Sequence, residues 1–226
     1  MSREALVLRP EPGNARTAAA LRQAGWTVQC LPLFEVTALP WAVPDPARYD
    51  ALLLTSANAV RHGGSGIDQL RALPVVAVGE ATAAAARAAG FRVASVGTSG
   101  AAAAVAGAAV AGAGSIGRLL HLGGRHHVAV PGVEALAVYT SEAVAVPAGA
   151  LAGHGGPTAL LHSVRAAKRL DVLAARDEVV RGRWSIAALS PAIANAAGEG
   201  WGRTLVAQEP SDAALLALLR EGGDAD

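Results

Sequence analysis

The chain has 226 residues, of which 52% are apolar and 16% charged, and its formal net charge is +1. That balance excludes intrinsic disorder, which needs low hydrophobicity and high net charge, and a nucleic-acid binder relying on a broad basic surface. The single Cys30 excludes an intrachain disulfide framework and a thiolate-clustered zinc site, and a reducing cytoplasm is the expected setting.

No long apolar run opens the chain, so no secretory leader is expected. A first strand is read at 5–9, followed by a turn at Pro10, Pro12 and Gly13. Asn14 is then placed as the cap of a helix over 15–24 that Gly25 ends. Further strands are read at 27–33, 51–55, 75–78, 93–96, 118–122, 158–163, 185–189 and 204–207, with an amphipathic helix over 212–220. Short apolar strands alternating with Ala-rich helices predict parallel sheets covered on both faces. The stretch 93–117 carries no charge and is long enough to span a bilayer. Its Ala, Gly and Ser content reads instead as a strand, a turn and a buried helix, so no membrane partner is expected.

Two segments, 33–39 and 138–146, break this rhythm: they are extended, flanked by prolines, and not followed at once by a helix. They predict an α/β chain of two doubly wound parallel-sheet domains, each of flavodoxin-like layout, joined by a two-stranded β hinge. Residues 1–33 and 148–226 form one discontinuous domain, 43–137 the inserted one, and 34–42 with 138–147 the hinge. An internal repeat points to two similar lobes. Leu53-Leu-Thr-Ser-Ala-Asn-Ala59 resembles Leu160-Leu-His-Ser-Val-Arg-Ala166, and Val75-Val-Ala-Val-Gly79 resembles Ile186-Ala-Ala-Leu-Ser190.

Gly112-Ala-Gly-Ser-Ile-Gly117 has the dinucleotide-binding glycine spacing, but it precedes a strand instead of following one and is rejected as a phosphate loop. His121, His126 and His127 have no cysteine nearby and are read as a surface loop, not a metal site. No cofactor is expected. The informative polar residues stand at strand ends, where helix amino termini offer free N–H groups. They are Arg9, then Thr55, Ser56 and Asn58, then Gly79 and Thr82, and in the other lobe Ser163 and Ser190. Each hydroxyl alone reads as an ordinary helix cap; their recurrence at one edge of both sheets suggests a cleft that holds carboxylates. Tyr139, one of two tyrosines, falls on the second hinge segment, where its phenol can donate a proton or pack as a half-buried strand residue.

Taken in order, Val7-Leu-Arg-Pro10, Pro32-Leu33, Thr55-Ser-Ala-Asn-Ala-Val60, Ala77-Val-Gly-Glu-Ala-Thr-Ala83, Val138-Tyr139, Leu161-His-Ser163 and Ala188-Leu-Ser-Pro191 make the chain resemble the uroporphyrinogen-III synthases. The resemblance implies a cofactor-free enzyme acting on hydroxymethylbilane, a linear tetrapyrrole; a monomer is the default expectation, and composition points to no nucleic acid or membrane partner. It implies Tyr139 as proton donor to the leaving hydroxyl, and Thr55, Ser56, Asn58, Gly79, Thr82 and Ser163 as lining residues, to which Ser190 is added from its place at a strand end. Arg9 and Arg125 would pair with substrate carboxylates. Three departures stand out: Thr140 where many relatives carry Arg, Ser190-Pro-Ala-Ile193 in place of a G-x-x-T pattern, and a short segment over 123–138. The competing expectation is a non-enzymatic two-lobed module for a small anionic ligand.

Overall fold

The computed structural model describes residues 3–97, 104 and 117–221. The turn and Ala-rich helix read into 93–117, and most of the glycine motif at 112–117, lie outside them. The chain divides into two compact units, Met1–Glu35 with Glu142–Asp226, and Val36–Ser141.

In the first unit the strands are β1 (Glu4–Val7), β2 (Thr27–Cys30), β9 (Thr158–Leu161), β10 (Ser185–Ala188) and β11 (Arg203–Val206). They form a five-stranded sheet in the order β11-β10-β9-β1-β2, and every pairing is parallel. Counted along this unit's own chain, that order is 2-1-3-4-5, the flavodoxin arrangement. Successive strand side chains point to opposite faces, which explains why one set of strands serves two cores. Leu6, Leu8, Leu161 and Ile186 face α4 (Val164–Arg176) and α5 (Pro191–Asn195), packing with Leu170, Trp184 and Ile193. Ala5, Val7, Leu160 and Ala187 face the other way, onto Ala18 and Leu21 of α1 (Gly13–Gln23) and Leu215 and Leu219 of α6 (Asp212–Glu221). The edge strands β2 and β11 are correspondingly more exposed.

The second sheet holds β3 (Phe34–Ala38), β4 (Ala51–Leu54), β5 (Val75–Val78), β6 (Val93–Gly97), β7 (Leu119–Gly124) and β8 (Val133–Ala143), in the order β3-β8-β7-β4-β5-β6. β4 through β8 are parallel neighbours. Leu52, Leu54, Val75, Ala77, Leu120 and Leu122 pack with Ala59 of α2 (Ala57–His62) and Ala83 and Ala86 of α3 (Glu80–Ala88), while Leu53 and Val76 face the opposite side with Ala104. β4 and β7 are buried along their whole length, as central strands should be. β8 begins at Val133, five residues before the extended segment read from the sequence, because its first half is a full member of this sheet beside β7.

The two sheets share one arrangement reached by different chain routes. If β4, β5 and β6 are laid on β9, β10 and β11, then β7 and β8 fall on β1 and β2. The repeated motifs occupy matching places: Thr55-Ser56 follows β4 as His162-Ser163 follows β9, and Gly79 follows β5 as Leu189-Ser190 follows β10.

Asn14 departs from its expected capping role. It lies inside the first turn of α1 and is fully buried. Its amide donates to the carbonyls of Val7 at 2.9 Å and Arg9 at 2.8 Å, holding the end of β1 against the helix. The carboxylate of Glu11 accepts from the Ala15 N–H instead, at 3.0 Å.

Candidate functional site

In the second unit the carboxyl edge of the sheet is built from β4, β5, β7 and β8. Register places Leu53 opposite His121, so Thr55, two residues on, continues the same face. Its Oγ1 lies 3.0 Å from His121 Nε2. Gly123 makes that contact possible: a Cβ there would come within 2.8 Å of the same nitrogen. His121 is thus a strand residue only 2% exposed, which corrects its reading as part of a surface loop. Burial, with a smaller contribution from the His127 charge, pushes its pKa down to about 4, so it is neutral at physiological pH. His127 stands edge-on to it at 5.3 Å between ring centroids. Its Nδ1 is 2.9 Å from the Gly124 carbonyl, which only accepts, so that nitrogen carries the proton.

Tyr139 belongs to the opposite face of this edge. The β7–β8 register slips between Gly123 and Gly124, pairing Gly123 with Ala137 and Gly124 with Tyr139. Such a bulge re-aims the side chain that follows it. The ring lies directly over Gly124, where a Cβ would meet Cε2 at 2.7 Å and the phenol oxygen at 3.1 Å. His62, at the end of α2, is its aromatic neighbour, with centroids 6.2 Å apart. Burial and then the Arg61 charge lower the His62 pKa. The Arg125 N–H donates to the Tyr139 carbonyl at 2.9 Å, which ties the loop after β7 to the same strand.

Ser56 caps α2 by accepting from the Asn58 N–H at 3.2 Å, and Asn58 Oδ1 accepts from Arg61 at 3.1 Å. Gly79 has φ of 79°, a conformation that favours glycine, and opens α3. Its carbonyl accepts from the N–H of Thr82, which is buried.

In the first unit, Ser163 caps α4 by accepting from the Ala166 N–H at 3.2 Å, and Ser190 caps α5 from Ile193 at 3.4 Å. All three serines therefore use an oxygen lone pair as caps, and each keeps its O–H as a donor. Arg9 is engaged already: it donates to both carboxylate oxygens of Asp212, at 2.7 and 2.5 Å, and to Thr17 at 3.3 Å. A Cβ at Gly13 would collide with its guanidinium, so glycine there gives Arg9 its resting place on α1. His162, with a side chain 7% exposed, lies 3.4 Å from the same aspartate. Burial opposes ionisation of Asp212, but His162 and Arg9 outweigh it and hold the carboxyl well below the usual carboxylate range. Burial likewise keeps the His162 pKa low, with the Arg9 charge adding to it and Asp212 opposing.

The structure thus brings Thr55 to His121, with His127 edge-on to the His121 ring, and sets Tyr139 with His62 and the Arg125 backbone. Ser56, Asn58, Gly79 and Thr82 stand at the neighbouring helix starts, and in the other unit Arg9 joins Asp212 and His162. His62, His121, His127, His162 and Asp212 were not singled out as site residues from the sequence. The available signal for His121 was its position as the one polar residue in the buried run Leu119-Leu-His-Leu122. No group of His, Cys, Asp or Glu able to hold a metal occurs among the described residues, and no helix among them is long and apolar enough to cross a membrane.

A family model described as HEM4, uroporphyrinogen-III synthase HemD, matches residues 15–130. A search of curated proteins gives no match. Among solved structures the chain is similar to uroporphyrinogen-III synthetase from Helicobacter pylori 26695. That match has 18% identity over 96% of this chain and 97% of that one, with a TM-score of 0.63. A mutant uroporphyrinogen III synthase from the extremely thermophilic bacterium Thermus thermophilus matches at 16% identity over 97% and 98% of the two chains, with a TM-score of 0.52. At these identities the structural likeness speaks for the fold.

Proposed function

The chain belongs to the uroporphyrinogen-III synthase family, and from that premise we propose which of its residues perform the family's reaction. That reaction closes hydroxymethylbilane to uroporphyrinogen III with loss of water and inversion of the D ring, a step of haem biosynthesis. We assign the chain to the cofactor-independent hydro-lyases.

The chemical problem is selectivity. Departure of the hydroxyl as water leaves a resonance-stabilised azafulvene, and the free bilane closes without inverting the ring. The protein must hold a conformation in which the substituted carbon of the D ring attacks, giving a spiro intermediate. Holding reacting atoms in place is the larger catalytic contribution; proton donation to the departing oxygen is the smaller one. Tyr139 is the proposed donor. The proton it gives leaves with the hydroxyl as water, and the proton released when the pyrrole regains aromaticity restores the phenol.

Acetate and propionate groups are assigned to Thr55, Ser56, Asn58, Gly79, Thr82 and Arg125 in one unit and to Ser163 and Ser190 in the other. The capping serines suit this role because each hydroxyl can still donate its proton while capping, and N–H groups at the starts of α3 and α4 favour negative charge. Arg9 enters with its charge already balanced by Asp212, so it is assigned to orienting a carboxylate and not to neutralising one. The observation that carries the reading is the seat of Tyr139 over Gly124, at the carboxyl edge where doubly wound sheets bind ligands. The test supplies hydroxymethylbilane and separates the type I and type III products. Type III formed faster than spontaneous closure is the expected result. Type I alone, at the spontaneous rate, would refute the reading and leave the non-enzymatic binding module.

A further inference from the structure

We propose that His121 is a positioning residue for substrate binding, acting through the hydroxyl of Thr55. The inference rests on the reading of Thr55 as a carboxylate contact and extends it to the group behind it. A threonine hydroxyl at a strand end rotates freely unless something fixes its proton, and a free rotor loses orientational entropy when a substrate binds. His121 fixes it: Nε2 is 3.0 Å from Oγ1, in a side chain too buried to turn away. Gly123 supplies the space the imidazole fills, so the arrangement depends on three residues placed by strand register.

With the ring neutral, one proton lies between the two atoms, and its side decides what Thr55 presents outward. A substrate bearing carboxylates selects the tautomer with the proton on Nε2. That N–H donates to Oγ1 and leaves the hydroxyl proton directed at the incoming oxygen. His127 is the titratable group set against this pair, edge-on at 5.3 Å and tied by Nδ1 to the Gly124 carbonyl. Tyr139 lies on the other face of the edge, so this pair is placed to act on binding and not on proton donation.

The experiment measures kcat and KM for hydroxymethylbilane in the full-length protein carrying Thr55→Val, His121→Leu, His121→Gln and the double combinations. His121→Leu is expected to raise KM about tenfold, the order of one lost hydrogen bond to a charged group, with kcat within about twofold. Glutamine can present an amide to the same oxygen, so His121→Gln should recover most of the loss. In a Thr55→Val background either His121 change should add less than about twofold, because residues acting as one unit are not additive. Independent, multiplying effects would overturn the inference, as would equal losses for Leu and Gln or a fall in kcat at constant KM. If His121→Leu fails to fold, His121→Ala in both backgrounds decides instead, since a loss of similar size with and without Thr55 contradicts coupling. Thr55→Val with unchanged KM would remove Thr55 from the site and the inference with it. A silent His121 beside an impaired Thr55→Val would sink the inference alone.

Discussion

Gly124→Ala offers a way to displace the Tyr139 phenol without altering its chemistry. Gly124 does not have a positive φ, so alanine meets no backbone strain there. Its Cβ would stand 2.7 Å from Cε2, 2.9 Å from Cζ and 3.1 Å from the phenol oxygen of Tyr139. Ordinary carbon contacts lie at about 3.5–4.0 Å, so the ring must retreat by about 1 Å. Overpacking of this kind costs about 1–3 kcal/mol of stability. A displacement of about 1 Å at a reacting group costs roughly 10²-fold in rate. The expected outcome is a folded protein, lowered in melting temperature by a few degrees, whose type III formation falls about 10²-fold. Tyr139→Phe should fall by a similar factor, and adding Gly124→Ala to it should change the rate little further. Gly153→Ala, where a Cβ meets nothing within 4 Å, serves as the control. Near-normal turnover in Gly124→Ala, or a loss below about threefold in Tyr139→Phe, would assign the tyrosine to packing and refute its role as donor.

Three further outcomes concern stability. His121 is held near pKa 4 in the folded chain, below the ordinary histidine value of about 6.5, so the folded state resists the proton. Its penalty is absent above that value and grows to about 3 kcal/mol as pH falls toward 4; melting temperature should decline across that window, and less steeply in His121→Gln. Asp212, depressed in the folded state, contributes stability above the usual carboxylate range that is lost as pH falls below about 4. Asp212→Asn should therefore melt lower at neutral pH and show a flatter acid limb, and unchanged acid sensitivity would contradict the assignment. Ser163→Ala removes the cap of α4 and should cost about 1 kcal/mol, or roughly 2–4 °C in melting temperature for a chain this long.

Strand positions were legible because apolar runs such as Leu52-Leu53-Leu54 and Val75-Val76-Ala77 are buried on both faces and carry no competing signal. The serine caps were legible for a related reason, since a hydroxyl before an Ala-rich stretch answers a local need of the helix start. Contacts set by register were not. Nothing local places His121 against Thr55, because their meeting depends on β4 and β7 being neighbours with Leu53 opposite His121. Arg9 suffers the same way: its partner Asp212 lies at the far end of the chain, so the sequence offered a substrate carboxylate as its partner instead. Asn14 had the residue type of a cap, yet burial beside β1 made the carbonyls of Val7 and Arg9 the more urgent partners. For Tyr139 the sequence supplied the extended segment, but the bulge that turns the ring onto Gly124 comes from a mismatch between two strands.

The two routes to one sheet order carry a kinetic corollary. From β4 to β8 the chain can assemble its sheet out of a single contiguous stretch. The other sheet cannot close until Ala5 finds Thr158. Bringing such distant residues together costs loop-closure entropy before any contact rewards it, and pairings of high sequence separation form late. The central stretch should thus acquire protection from hydrogen exchange first during refolding, with the β1–β2 pair left apart from the rest of its sheet until β9 is in place.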